Sequence, residues 1–137
     1  MSIRKPIVAV ITAVTILTGC SGRAQEAPST PSADSDSRQV VTAYLKAAVG
    51  HDCQVTRSLT ASSTWAWCDK PRMTAYKGIG SVVKLSAQEA GVALECYPMT
   101  VTTRDGQGRG LKEGTRPWTL CFQHTEAGYK LYQQGMR

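Results

Sequence analysis

Two stretches decide the fold: Glu95-Cys96-Tyr97-Pro98-Met99-Thr100-Val101-Thr102-Thr103 and Thr115-Arg116-Pro117-Trp118-Thr119-Leu120-Cys121-Phe122-Gln123, separated by Arg104–Gly114. Both are rich in β-branched and aromatic residues and alternate in character, as strands do. A hairpin centred near residue 108.5, close to the middle of that loop, pairs residues whose numbers sum to 217. That register sets Cys96 against Cys121, Tyr97 against Leu120, Met99 against Trp118 and Val101 against Arg116. One face is then mostly apolar, with Tyr97, Met99, Val101, Trp118, Leu120 and Phe122. The other carries Thr100, Thr102, Thr115, Thr119, Gln123 and the cysteine pair. A slip of one residue would destroy both patterns at once.

Outward from the hairpin, Ser81–Leu85 and Tyr129–Gln133 read as further strands, and the first hairpin strand extends back to Gly91. Upstream the period changes. Val40, Val41, Tyr44, Leu45 and Ala48 share one helical face, with Ser37 as a cap and Gly50 as a stop. Asp52 caps a second, short helix through about Leu59, turning Val55 and Leu59 inward. Ser62–Asp69, with Trp65 and Trp67, reads as another helical turn that Pro71 ends. Helices first and an antiparallel meander after give the α+β class, with about four strands.

The chain has 137 residues, 42% hydrophobic and 19% charged. That is one domain, and its composition excludes a wholly disordered chain or a coiled coil. Residues 1–19 read as an export signal. Arg4 and Lys5 precede an uncharged stretch, Ile7–Leu17. As a helix those residues span roughly 16 Å, short of a bilayer core of about 30 Å. Leu17-Thr18-Gly19-Cys20 follows and resembles the lipobox of bacterial lipoproteins. The resemblance implies cleavage before Cys20, a diacylglycerol on its sulfur, and residence at the extracytoplasmic face of the cell membrane.

With Cys20 lipidated, four of the five cysteines remain, an even number in an oxidising compartment. They allow three connectivities. The hairpin register favours Cys96–Cys121, which leaves Cys53–Cys68 to tie the second helix to the tryptophan-rich segment. Residues 20–37 are the lipidated cysteine and a tether that lacks aromatic, Leu, Ile and Val side chains. As a random coil it reaches about 20–25 Å. All nine aromatics lie within Tyr44–Tyr132, so residues 38–137 form the folded unit. Without Arg4, Lys5, Arg23, Glu26, Asp34 and Asp36 that unit keeps the chain's net charge of +6. An anionic membrane surface would attract it. No nucleic-acid motif is present, and nucleic acid is not expected as a partner.

Four segments carry a narrower likeness: Val41–Ala47, Trp67-Cys68-Asp69-Lys70-Pro71-Arg72-Met73-Thr74-Ala75-Tyr76, Arg116–Phe122 and Gly128–Gly135. Together they resemble small bacterial lipoproteins with a nuclear transport factor 2-like domain. The resemblance covers most of residues 38–135 and implies N-terminal helices packed into a strongly bent antiparallel sheet, a cone. It implies little about activity, because this fold hosts isomerases, dehydratases, transport adaptors and ligand-binding modules.

Enzymes of that fold place an acid or base and a tyrosine deep in the cone. Glu95, His124, Tyr97 and Tyr44 are the candidates here, with Trp118 on the same face. Glu95 and His124 fall near one end of that face, so both are expected at a solvated rim and no residue is assigned as catalytic. His51, Cys53 and Cys68 lack a usual zinc spacing, so no metal or cofactor is expected. Gly106-Gln107-Gly108-Arg109-Gly110 precedes a strand, which fits a hairpin loop and not a phosphate cradle. Arg104, Arg109, Lys112 and Arg116 would form a basic lip there, and Trp65, Trp67 and Trp118 would serve the core or line a pocket. The expected function is a membrane-anchored, non-enzymatic module binding an envelope protein or a small apolar ligand. The alternative is an isomerase- or dehydratase-type enzyme using the cone.

Overall fold

The computed structural model describes residues 30–104, 109 and 111–136. The expected export signal, Cys20 and most of the expected tether lie outside them. The first helix, α1 (Ser37–Val49), starts one residue earlier than its periodicity suggests, because Asp36 and not Ser37 is its cap. The Asp36 carboxylate accepts from the Gln39 amide N–H and the Gln39 side chain accepts from the Asp36 N–H, a reciprocal capping box. Asp36 and Ser37 therefore belong to the folded unit, although the composition places them in the tether. Gly50 ends α1. His51 follows with φ 59°, the left-handed position usually held by glycine in a Schellman turn. The Asp52 and His51 N–H groups close that turn on Ala47 and Ala48. Asp52 then caps α2 (Cys53–Ser58) through the Val55 N–H at 3.1 Å.

The next segment is not the helical turn expected at Ser62–Asp69. The backbone just before it and parts of its own are held by tertiary partners, with the Trp65 carbonyl accepting from the Gln134 amide. The Ala61 N–H donates to Leu131, the Leu131 N–H donates to Leu59, and the Trp67 N–H donates to the Tyr44 hydroxyl. Strands β1 (Arg72–Lys77) and β2 (Val83–Leu85), helix α3 (Ala87–Ala90), and strands β3 (Leu94–Arg104), β4 (Gly114–Thr125) and β5 (Gly128–Gly135) complete the chain. The class is α+β, with one antiparallel sheet of five strands where about four were expected. The helices do not all precede the sheet, since α3 lies between β2 and β3.

Sheet order is β1-β3-β4-β5, with β2 alongside β3 beyond β1. The β3–β4 register is the one the hairpin argument requires, from Glu95 opposite Phe122 to Thr103 opposite Gly114. β1 and β2 act as one edge strand interrupted at Pro98, which has no N–H to offer the ladder. The chain loops out there, and the Gly80 N–H returns to the Pro98 carbonyl at 2.8 Å. A Cβ on Gly80 would sit 2.8 Å from the Pro98 ring, so the approach requires glycine. Arg38 on α1 ties this loop down by donating to the Gly80 and Ile79 carbonyls.

The sheet buries both faces in part. Val40, Val41, Tyr44 and Leu45 of α1 pack on Tyr97, Val101, Leu120, Phe122 and Leu131. On the opposite face Leu94, Cys96 and Cys121 form a smaller cluster with Leu85, Ala90, Val92 and Tyr132 against it. Both expected disulfides, Cys53–Cys68 and Cys96–Cys121, are present. Among the described residues no helix is long and apolar enough to cross a membrane.

Candidate functional site

The inward face brings Tyr44, Tyr97 and Trp118 together as the register implies, but as packed and bonded groups. Tyr44 is fully buried. Its hydroxyl accepts from the Trp67 N–H at 3.0 Å and from the Thr60 hydroxyl at 3.3 Å. Burial pushes the Tyr44 phenol up to about 12, and the bonds from Thr60 and Trp67 offset only part of that. The Tyr97 hydroxyl shares a buried 2.6 Å bond with Ser37, and the Arg38 guanidinium lies over its ring at 5.9 Å. Both tyrosines thus fix α1 and the tryptophan segment in place.

This gives a pH prediction. The phenol holds its proton more tightly folded than unfolded, so the contribution is complete below pH 10 and is lost as pH rises toward 12. The loss is about 2–3 kcal/mol over that window. Urea midpoints at pH 9.5 and 11.5 should show the loss in the native chain. Tyr44→Phe should flatten that pH dependence, at a cost of about 1–3 kcal/mol at neutral pH for the orphaned Trp67 N–H.

Glu95 and His124 do reach the same end of the sheet, where they line an open groove of about 170 Å³ with Phe122 and Tyr129. Neither Tyr44 nor Tyr97 lines that groove. His124 is exposed and packs edge-on against the Tyr129 ring at 4.9 Å. Glu95 is 3.7 Å from the Lys84 ammonium and accepts from the Tyr129 hydroxyl. Desolvation first, and the Glu95 charge second, raise the Tyr129 phenol above its ordinary value. Leu85, Ala93 and Leu94 complete the lining of that open groove, and within it Glu95 is paired with a cation and a phenolic donor, so it is not a free base.

The tryptophans, expected to serve the core or line a pocket, do both, since Trp67 and Trp118 are buried and Trp65 lines a cleft. The link between them is one the sequence reading does not contain. Trp67 lies 4.9 Å from Trp65 and 5.7 Å from Trp118 between ring centroids. One side chain, Gln134, holds them together. Its carbonyl accepts from the Trp67 and Trp118 indoles at 2.7 and 3.3 Å. Its amide nitrogen donates to the Thr64 hydroxyl and the Trp65 carbonyl at 3.2 and 2.7 Å. All four hydrogen-bonding positions of that amide are used. The expected basic lip is not assembled as one patch. Arg116 turns back to the Lys112 carbonyl and the Thr103 hydroxyl. Arg109 instead lies over the Trp65 ring at 5.4 Å. There it joins Arg57 and Lys70 around a cleft beside the Cys53–Cys68 bridge. Cys53, Cys68 and Asp69 cluster closely enough to suggest a metal, but both sulfurs are spent in the disulfide. No family model, curated protein or solved structure matches the chain.

Proposed function

We propose that the chain is a lipid-anchored, extracytoplasmic binding module with a nuclear transport factor 2-like domain, and that it does no chemistry of its own. The anchor reading rests on Leu17-Thr18-Gly19-Cys20 and on the even set of paired cysteines that remains once Cys20 is set aside. The observation that carries the non-enzymatic reading is the state of the inward face. An isomerase-type site needs a carboxylate in apolar surroundings facing a free donor. Here the Tyr44 and Tyr97 hydroxyls are committed to Trp67, Thr60 and Ser37, and Glu95 is committed to Lys84 and Tyr129. A face filled by Tyr44, Leu120, Phe122 and Leu131, each under 1% exposed, favours an envelope protein at the surface over an apolar ligand inside.

The test is the Glu95→Gln/His124→Gln double variant, assayed in cells lacking the native copy. It should restore the cellular role in full, at native abundance. Loss of that role with normal abundance would promote the enzyme reading. Separately, Cys20→Ala should abolish incorporation of radiolabelled palmitate and leave an uncleaved precursor.

A further inference from the structure

The geometry points to an oxyanion site for a phosphate ester in the cleft bounded by Arg57, Trp65, Lys70 and Arg109. This goes beyond partner binding and does not depend on the anchor. The cleft measures about 500 Å³ and is open to solvent, within the size range of small-molecule sites. Three cations line it against one carboxylate, Asp69. That carboxylate is 76% exposed and has the His51 imidazole 3.8 Å away. Among the described residues, no carboxylate lies within ion-pair distance of Arg57, Lys70 or Arg109. Among the described residues, the Arg57 guanidinium donates a hydrogen bond to the Cys68 sulfur, a weak acceptor, at 3.7 Å. Arg109 is held over the Trp65 ring, a placement that restrains a guanidinium while its N–H fork stays able to take two oxygens of an oxyanion. Trp65 is itself backed by Trp67 and Trp118, so the wall is rigid. Two arginine forks and an ammonium suit a phosphate better than a single carboxylate. The indole wall suits an organic ester over a bare ion.

Two sources share this chemistry, a phospholipid headgroup and a soluble phosphate ester. The test uses the full chain carrying Cys20→Ala, which removes the acyl anchor. One arm titrates glycerol 3-phosphate by calorimetry. The other compares binding to phosphatidylglycerol and phosphatidylcholine vesicles, so that the apolar leader contributes to both. Each cation removed is expected to weaken binding about fivefold. Arg57→Ala/Arg109→Ala should therefore lose at least about tenfold and Lys70→Gln about fivefold, while Lys77→Gln, out on β1, should change neither arm. Arg57, Lys70 and Arg109 are exposed, and unchanged near-ultraviolet circular dichroism checks that each variant folds. A response confined to the vesicle arm assigns the headgroup, and a response in the calorimetric arm assigns a soluble ester. If the cleft variants match Lys77→Gln in both arms, the site does not exist.

Discussion

Trp67→Ala is expected to lower the unfolding free energy by about 3–5 kcal/mol, the largest loss of any single substitution proposed here. The indole is fully buried and touches the rings of Trp65 and Trp118. Its removal leaves a void that backbone cannot easily fill, because the Trp67 N–H is held by Tyr44 and the neighbouring Cys68 by a disulfide. It also frees the Gln134 carbonyl from its 2.7 Å donor. Gln134→Leu should cost about 2 kcal/mol by a different route. It fills the same space but leaves two indole N–H groups, the Thr64 hydroxyl and the Trp65 carbonyl without their partner. Urea titrations of both variants measure these losses. A cost below 1 kcal/mol for Trp67→Ala would mean that the tryptophan cluster does not support the fold.

Removing the sheet disulfide, as Cys96→Ala/Cys121→Ala, is expected to cost about 3–4 kcal/mol on the chain-entropy account. The bridge closes a sequence separation of 25 residues, against 15 for Cys53–Cys68. Loop length alone makes the two nearly equal, at about 3 kcal/mol for the shorter. Packing separates them. Cys96 and Cys121 are 1% and 2% exposed and form the centre of the outer cluster with Leu94. Cys53 is only half-buried. The Cys96–Cys121 variant should therefore be the less stable of the two by thermal unfolding. The reverse order would show that the outer cluster adds nothing to the sheet.

What could be read from the residues, and what could not, follows from how local each signal is. The β3–β4 register was legible because two constraints agreed, the apolar alternation and the cysteine pair at equal distances from the loop centre. Strand β1 was not legible. Its register shifts between Met73 and Ala75, leaving Thr74 as a bulge, so its core residues Met73 and Tyr76 are three apart and show no period of two. The cap of α1 was misplaced by one because Asp36 and Ser37 are both good caps, and Gln39 at the right spacing selects Asp36. Ser62–Asp69 failed as a helix because tertiary partners hold it: β5 pairs with the backbone just before it, at Leu59 and Ala61, the Tyr44 hydroxyl takes the Trp67 N–H, and the Gln134 amide takes the Trp65 carbonyl. Gln134 carried no signal at all. Three of its amide's four partners lie 67 to 70 positions earlier and the fourth, Trp118, 16 earlier, and only the assembled fold places them there. Glu95 and His124 were legible as rim residues, since the register puts them at the end of the apolar face.

The most direct test of the central claim is the intact mass of the mature protein extracted from membranes, with peptide mapping under non-reducing conditions. The account predicts an N-terminus at Cys20 carrying a thioether-linked diacylglycerol, and Cys53–Cys68 and Cys96–Cys121 as the only disulfide-linked peptides. A mature chain that begins at Cys20 with an unmodified mass, or that begins elsewhere, would contradict the anchor. A Cys68–Cys96 linked peptide would contradict the fold on which the binding surface is built.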